Sequence, residues 1–282
     1  MPLIINSNLA SMNAQRHLAQ NTTALQSSME KLASGYRINH ASDDAAGLEL
    51  SENLRAQIRG DNKALANTQD GINVLNIADG AMQTITDNLQ RMRELAVQAS
   101  NDTYSATQRT SMQTEYDQLA SGITQIAKAV QFNGIHLLDG SPGGITSLQI
   151  GANTAANVDD FDVSNLFTDT TAGATGLNVD TQLLDSHTDA QNAISALDTA
   201  LATLNTSRGN LGASINRLQS TATNLSTMVE NTSASESRIR NVDVAAESAN
   251  LTQNQILQQA ASAMLAQANQ APQLALQLLK GG

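Results

Sequence analysis

Apolar residues recur along this chain at steps of three and four, the spacing that places side chains on one face of a helix. Near the N-terminus, Leu18, Leu25 and Leu32 fall seven residues apart. Met29 and Tyr36 occupy the complementary heptad position. This spacing predicts a helical arm with a coiled-coil seam.

Three further runs of this kind follow, from Leu54 to Leu89, from Met112 to Val130 and from Ile194 to Val229. Proline, which breaks helices, occurs only at Pro2, Pro142 and Pro272. The runs therefore predict a mainly α fold of long helices that pack along apolar seams.

Two stretches interrupt the helical pattern. Residues 99–111 are rich in Ser and Thr and predict the loop between the first two rod helices. Residues 132–188 are rich in Gly, Thr, Asp and Asn. Within them, residues 148–150 and 161–163 alternate apolar and polar positions, which predicts two short strands. We expect a small β-hairpin insert there.

The C-terminal segment after Arg240 has a looser pattern. Residues 256–270 are almost all good helix formers, with Leu257, Ala260 and Met264 on one stripe. Pro272 predicts an interruption, after which a leucine-rich tail follows. Both termini therefore resemble amphipathic arms that need a partner, and we expect them to be disordered in the monomer and to fold on assembly.

Composition narrows the functional classes. Aromatic residues make up 2% of the 282, there is no cysteine, and the net charge is −11. The missing cysteines exclude disulfides and thiol chemistry. The negative charge, without a strong basic run, argues against nucleic-acid binding. No run approaches the roughly 18 apolar residues that span a membrane, and the N-terminus lacks the features of a cleaved signal peptide.

The stretch SGYRINHASDDAAG, residues 34–47, concentrates candidate chemistry. His40, Asp43 and Asp44 could be metal ligands, but no second cluster completes a set. As an acid/base pair, adjacent aspartates on a helix diverge by about 100°. The structural interpretation needs nothing more: Gly35 ends the arm helix, Ser42 caps the next, and both aspartates lie in its first turn.

We therefore expect no metal and no cofactor. No sequence motif of an active site appears, so we do not expect an enzyme.

Three stretches resemble bacterial flagellin, the filament subunit of the flagellum. They are INSNLASMNAQ with SGYRINHASDDAAG within residues 5–47, NLQRMRELAVQASN at 88–101, and residues 237–280 from SRIRNVDVAAESANLTQNQ onward. The resemblance implies a long antiparallel helical bundle or coiled-coil rod between two terminal arms, residues 1–44 and 240–282, that pair as a helical hairpin and form an inner-tube domain. A spoke at about 34–44 would join it to a rod at 45–239, and no outer domain is expected because the insert at 132–188 is too short for one.

The resemblance also implies site residues and partners. The subunit would polymerise with itself, extracellularly, after export by the flagellar type III apparatus without a cleaved signal peptide. Other partners would be an export chaperone, a filament cap protein, a hook-filament junction protein and the flagellin-sensing Toll-like receptor. The receptor and assembly interface would contain Arg91, Leu95 and Glu115. The inner-tube seam would contain Leu18, Leu25, Met29, Leu32, Leu257 and Met264.

Two alternatives stay open from the residues. A flagellar hook-filament junction protein shares terminal arms of this style, although the residues at 255–270 favour flagellin. The other alternative is a secreted or signalling coiled-coil protein, or an enzyme with an unrecognised site. A chemoreceptor of this kind would need a transmembrane segment, and no run in the sequence provides one.

Overall fold

The computed structural model describes residues 7–140, 145–153, 159–164, 166–173 and 176–280, with backbone alone for residues 271–280. This part of the chain confirms a mainly helical protein with a small β insert. The helices are α1 (Leu9–Ser34), α2 (Ala45–Ala99), α3 (Ala106–Ala129), α4 (His187–Arg240) and α5 (Val244–Lys280). The strands are β1 (Gln131–Phe132), β2 (Ile135–His136), β3 (Ser147–Gln149) and β4 (Asp160–Asp162).

Contacts divide the chain into two compact units. The terminal unit contains Met1–Ala56 and Asn231–Gly282, and the middle unit contains Gln57–Glu230. Helices α2 and α4 each contribute to both units. Over the residues that the structure describes, no helix is long and apolar enough to cross a membrane.

Residues at the ends of α2 and α4 join the terminal unit through ion pairs. Arg240 of α4 pairs with Glu52 of α2, and Arg55 of α2 lies 4.0 Å from Glu236 of α4. Residues 45–56 and 231–239, which the resemblance assigns to the rod, thus pair with each other and group with the terminal helices.

The loop between α2 and α3 is shorter than the sequence predicts. Helix α3 begins at Ala106, so residues 106–111 are helical and the prediction of a loop to residue 111 is wrong. The cause is a capping box: the Ser105 hydroxyl accepts from the Gln108 N–H, and the Gln108 side chain accepts from the Ser105 N–H at 2.9 Å. Arg109 then donates to the Ala99 carbonyl at 3.1 Å, which satisfies an end of α2.

Helix α5 continues through Pro272, so the predicted interruption is wrong. A proline at this position has no N–H to donate to the carbonyl four residues earlier, that of Ala268. The Asn8 side-chain amide donates to this carbonyl at 2.8 Å instead. A residue of the N-terminal arm therefore replaces the hydrogen bond that the proline removes.

The β insert consists of two antiparallel hairpins. In the first, β1 and β2 are joined by Asn133 and Gly134, both with positive φ (50° and 80°), as a tight two-residue turn requires. In the second, Leu148 of β3 pairs with Phe161 of β4. The two predicted strands are therefore present, and each begins one residue earlier than the pattern suggested.

The core of the middle unit lies between α2, α3, α4 and the insert. Tyr116 of α3 is fully buried, and its hydroxyl donates to the Val179 carbonyl at 3.0 Å. The predicted helical runs supply most of the remaining core, including Leu75, Met82, Leu89, Ile123, Leu197, Leu204, Leu211 and Leu218. The insert adds Phe161 and Val163.

Candidate functional site

In the terminal unit, α1 and α5 pair as an antiparallel hairpin. Polar side chains join them along their length. Ser11 donates to Asn269 at 2.8 Å, Gln258 lies 3.4 Å from the Thr22 hydroxyl, and Asn254 lies 3.5 Å from the Ser28 hydroxyl. The residue numbers rise on α1 as they fall on α5, as an antiparallel pair requires. The arms therefore form the helical hairpin that the sequence predicts.

The seam of this hairpin contains more small and polar residues than the sequence analysis expected. Ser11, Ser28 and Ala261 are buried, whereas Leu18, Leu25 and Leu32 are half-buried. The sequence analysis missed the two serines because it followed large apolar side chains alone. The signal was present: positions 11, 14, 18, 21, 25, 28 and 32 alternate steps of three and four.

Three residues predicted for the inner-tube seam are exposed in the single chain. Met29 is 47% exposed, Leu257 41% and Met264 65%. Within one chain, therefore, the partner helix does not bury them. As contacts between copies they stay a prediction.

Other large apolar side chains of α1 and α5 are exposed as well, and we call the whole set the outward arm surface. Its residues are Leu9, Met12, Met29, Val244, Ile256, Leu257 and Met264. Met12 and Ile256 are about as exposed as Met264, at 61% and 60%. An exposed apolar surface of this kind marks a protein interface more often than a solvated face.

At one end of the α1–α5 hairpin, the connector after α1 (residues 35–37) pairs with the connector before α5 (residues 241–242). Gly35 ends α1 in the left-handed conformation (φ 75°), which confirms its predicted role. Tyr36 forms an isolated antiparallel bridge with Asn241. The Val242 N–H donates to the Gly35 carbonyl at 3.0 Å, and the Arg37 N–H donates to the Arg240 carbonyl at 2.7 Å. The two connectors are thus held together by backbone hydrogen bonds.

The two aspartates of this stretch have different roles, and neither lies in the first turn of α2. Asp44 accepts from the Gly47 N–H at 2.9 Å and caps the helix, so the prediction of Ser42 as the cap is wrong. Asp43 accepts from the N–H groups of His40 and Asn39, both at 3.0 Å. These bonds favour the charged carboxylate and lower the pKa of Asp43 below 3.8.

His40 Nε2 lies 2.7 Å from Glu30 Oε1. Among the residues that the structure describes, no three His, Asp or Glu side chains converge in a way that could hold a metal ion. The contacts of this stretch thus join and cap helices.

Arg91 and Glu115 meet on the surface of the middle unit. The Arg91 guanidinium donates to Glu115 Oε1 from two nitrogens, at 2.9 and 2.8 Å, and to Glu94 at 3.0 Å. Both Arg91 and Glu115 remain about half exposed. Leu95, in contrast, is 3% exposed and packs in the core. The expectation that Leu95 offers an exposed apolar anchor beside Arg91 is therefore wrong for the single chain, and Glu94 is the neighbour that the sequence analysis missed.

Comparison with known proteins identifies the class to which this fold belongs. The model of the bacterial flagellin N-terminal helical region matches residues 5–142, and that of the bacterial flagellin C-terminal helical region matches residues 194–279. These matches cover both arms and the long helices. The chain belongs to the bacterial flagellin family, whose members are structural subunits of the flagellar filament.

Full-length relatives agree with this assignment. A flagellin of Halalkalibacterium halodurans is 46% identical over 278 residues, covering 99% of this chain and 100% of the relative. A flagellin of Bacillus subtilis is 42% identical over 302 residues, covering 98% and 99%. Both alignments extend over almost the whole of each chain, so this protein resembles flagellins without an outer domain.

A solved structure shows a similar fold. A putative flagellar hook-associated protein from Vibrio parahaemolyticus aligns with a TM-score of 0.56 and 14% identity, over 71% of this chain and 100% of that one. At this identity the likeness concerns the fold alone. Bacillus cereus flagellin, at 32% identity, covers 57% of this chain and 88% of its own with a TM-score of 0.49.

Proposed function

We propose that this flagellin polymerises into an extracellular filament through the outward arm surface. The observation that carries the proposal is the exposure of Met12, Ile256 and Met264, each at least 60% accessible in a single chain. Neighbouring copies would bury these side chains, and contacts of this heterologous kind generate a helical fibre rather than a closed ring.

The hairpin gains little stability from its own seam. The seam leucines are half-buried and much of the remaining contact is polar, while the outward arm surface stays wet. Ordering a residue costs about 1–2 kcal/mol of backbone entropy, and burying a large apolar side chain returns about 1.5–3 kcal/mol. We therefore propose that the arms fold as this hairpin when neighbours cover the outward arm surface.

The test is a pair of charge substitutions read by seeded polymerisation and negative-stain microscopy. Ile256→Glu and Met264→Glu should prevent long filaments, because a carboxylate would be buried without a partner. Met228→Glu is the matched control, since Met228 is 42% exposed on α4 within the middle unit. Filaments from both arm variants at parental yield would overturn the proposal.

The same assay distinguishes the alternative of a hook-filament junction protein. A flagellin should extend seeds into long filaments, whereas a junction protein should add only short segments. Wild-type protein that never elongates seeds would favour the junction protein.

The same terminal arms would also take part in export and in binding the accessory partners. We propose that the unfolded chain leaves through the flagellar type III channel without a cleaved signal peptide. An export chaperone would cover the C-terminal arm, because that arm exposes Ile256, Leu257 and Met264 before assembly. At the two ends of the filament, a cap protein and a hook-filament junction protein would meet the terminal units.

A second candidate function is recognition by the flagellin-sensing Toll-like receptor. The observation that favours it is the exposed guanidinium fork of Arg91, which Glu94 on the same helix and Glu115 on α3 hold in one orientation. Arginine in a fixed bidentate geometry is typical of interface hot spots. Leu95 would act from below, by packing α2 in place, rather than by touching the receptor.

A reporter-cell titration tests this second function. Arg91→Ala monomer should need about tenfold more protein for half-maximal signalling, as truncation of a hot spot typically costs. Lys63→Ala, an exposed change on the same helix, should leave the titration unchanged. If Arg91→Ala signals like the parent, the receptor surface lies elsewhere.

A further inference from the structure

The second hairpin of the insert is seated on α2 at two glycines. A Cβ atom at Gly60 would lie 2.7 Å from the Ala152 Cβ, and one at Gly71 would lie 2.5 Å from a Leu148 methyl carbon. Between these points, the Asn67 side-chain amide donates to the Gln149 carbonyl at 3.0 Å. Strand β3 and the turn after it therefore lie directly against residues 60–71 of α2.

Asp61 is buried at this seat, with 1% of its surface exposed. Its Oδ2 atom is fully buried and has no hydrogen-bond partner in the described part of the chain. Thr68, buried on the same helix, shows the usual arrangement, since its hydroxyl donates to the Ala64 carbonyl at 2.7 Å. A carboxylate without a donor or a cation is among the costliest groups to bury.

The groups around Asp61 make its charge less favourable still. Asp159 lies across the neck of the hairpin, where its carbonyl accepts from the Ile150 N–H at 2.7 Å. Burial raises the pKa of Asp61, and the negative charge of Asp159 raises that pKa further.

The nearby cations do not offset this effect. Arg59 and Lys63, on either side of Asp61 along α2, are exposed. Arg217 of α4 stacks over the Phe161 ring, 4.8 Å from its centroid.

We propose that Asp61 is a proton-operated latch that controls how firmly the β3–β4 hairpin is seated on α2. With the carboxyl protonated, the seat is closed and neutral. With the carboxyl ionised, the hairpin opens more often, because opening returns the charge to water. This regulation concerns the hairpin of the middle unit and is independent of the assembly proposed above.

The direction of the pH effect follows from the linkage between proton binding at Asp61 and closure of the hairpin. A carboxyl whose pKa is higher in the closed state than the usual 3.8 stabilises that state fully below pH 3.8. The contribution is lost as the pH rises through the pKa of the closed state. Each pKa unit by which closing raises the pKa weakens the closed seat about tenfold at higher pH.

The test uses full-length monomer and two measurements. Carbon-13 NMR of the Asp61 carboxyl should give a midpoint above 3.8. Hydrogen exchange at the Ile150 amide, corrected for intrinsic rates, should be less protected at pH 8 than at pH 3.8, the ordinary pKa of the carboxyl. Asp61→Asn should abolish this pH dependence, because it keeps the size of the side chain and removes its charge.

Asp70→Asn is the matched control, since Asp70 is an exposed carboxylate on the same helix. It should leave the pH dependence at Ile150 intact. Asp159→Asn should return the Asp61 midpoint only part of the way to 3.8. Burial, the larger cause of the raised pKa, remains in this variant.

Two results would overturn the latch. One is an Asp61 midpoint at or below 3.8 in the wild type. The other is a midpoint that millimolar calcium depresses, because the carboxylate would then hold a cation rather than a proton. The wild-type titration decides the first outcome even if a variant fails to fold.

Discussion

At the scale of single residues, the connector between α1 and α2 gives adjacent aspartates separate tasks. Asp44 caps α2 by accepting from the Gly47 N–H, and Asp43 fixes the turn before it by accepting from two backbone N–H groups. Both tasks use the carboxylate as an acceptor for backbone donors. Residues 34–47, which first suggest a metal or acid/base site, therefore serve to end one helix and to begin the next.

Asp44→Ala should reduce the free energy of unfolding by about 0.5–2 kcal/mol, the usual cost of a lost N-cap. Thermal dissociation of filaments, in which we propose that the terminal unit is folded, measures the change by far-UV circular dichroism. Ser42→Ala is the control, because the sequence suggests this serine as the cap and the structure does not. A larger loss for the serine variant would contradict the assignment.

Asp43 predicts a loss of stability in acid. Because its folded-state pKa lies below 3.8, its contribution is present above pH 3.8 and is lost as the pH falls through the folded-state value. The dissociation temperature of wild-type filaments should therefore exceed that of Asp43→Ala at neutral pH. The gap should close in acid, and a gap independent of pH would show that the carboxylate charge is not the cause.

At the scale of elements, Asn8 links both arms. Its side-chain oxygen accepts from the Ser11 N–H and caps α1, while its side-chain nitrogen donates to the Ala268 carbonyl. The second bond compensates for the N–H that Pro272 lacks. One side chain thus begins one helix and supports the passage of the other through a proline.

Asn8→Asp separates these two roles, because aspartate caps a helix as well as asparagine but has no amide donor. We expect a lower dissociation temperature for filaments of Asn8→Asp than for the wild type. In a Pro272→Ala background the same change should cost less, since the alanine N–H can donate to Ala268. An equal fall in dissociation temperature in both backgrounds would show that Pro272 does not contribute to the effect of Asn8→Asp.

Much of the element structure could be predicted from the sequence, because heptad spacing over long runs leaves few alternatives. The predicted run at 194–229 lies within α4, and the run at 112–130 lies within α3 except for Val130, which caps it. The side chains at the surface could not be predicted in this way. Leu95 is buried and Met264 exposed, although both are apolar residues of helices. Which face a helix buries depends on its neighbours in space, and the Asp61 seat depends on a hairpin that folds back from 90 residues away.

At the scale of the whole molecule, the two units differ in what completes them. The middle unit has a continuous core across three helices and the insert. In the terminal unit, the outward arm surface is uncovered within one chain. A flagellin of this form therefore contains one part that is complete alone and one part whose apolar surface needs other copies.

Deleting residues 240–282 should leave a soluble, helical middle unit that cannot polymerise. If the arms fold only on assembly, the deletion should also leave the total helical signal per molecule near that of the full-length monomer. Circular dichroism and microscopy of the purified fragment measure both. Filaments from the truncated chain would contradict the first expectation, and a large loss of helical signal would contradict the second.

The polar pairs between α1 and α5 give the hairpin a defined alignment. Sliding one arm by a heptad would still place leucines against the seam, so apolar contact alone would tolerate the error. The same slide would separate Ser11 from Asn269, Ser28 from Asn254, and Asn8 from Ala268, leaving buried polar groups without partners. The polar pairs thus contribute more to the alignment of the two arms than to the stability of their pairing. A misaligned pair separates readily and can pair again.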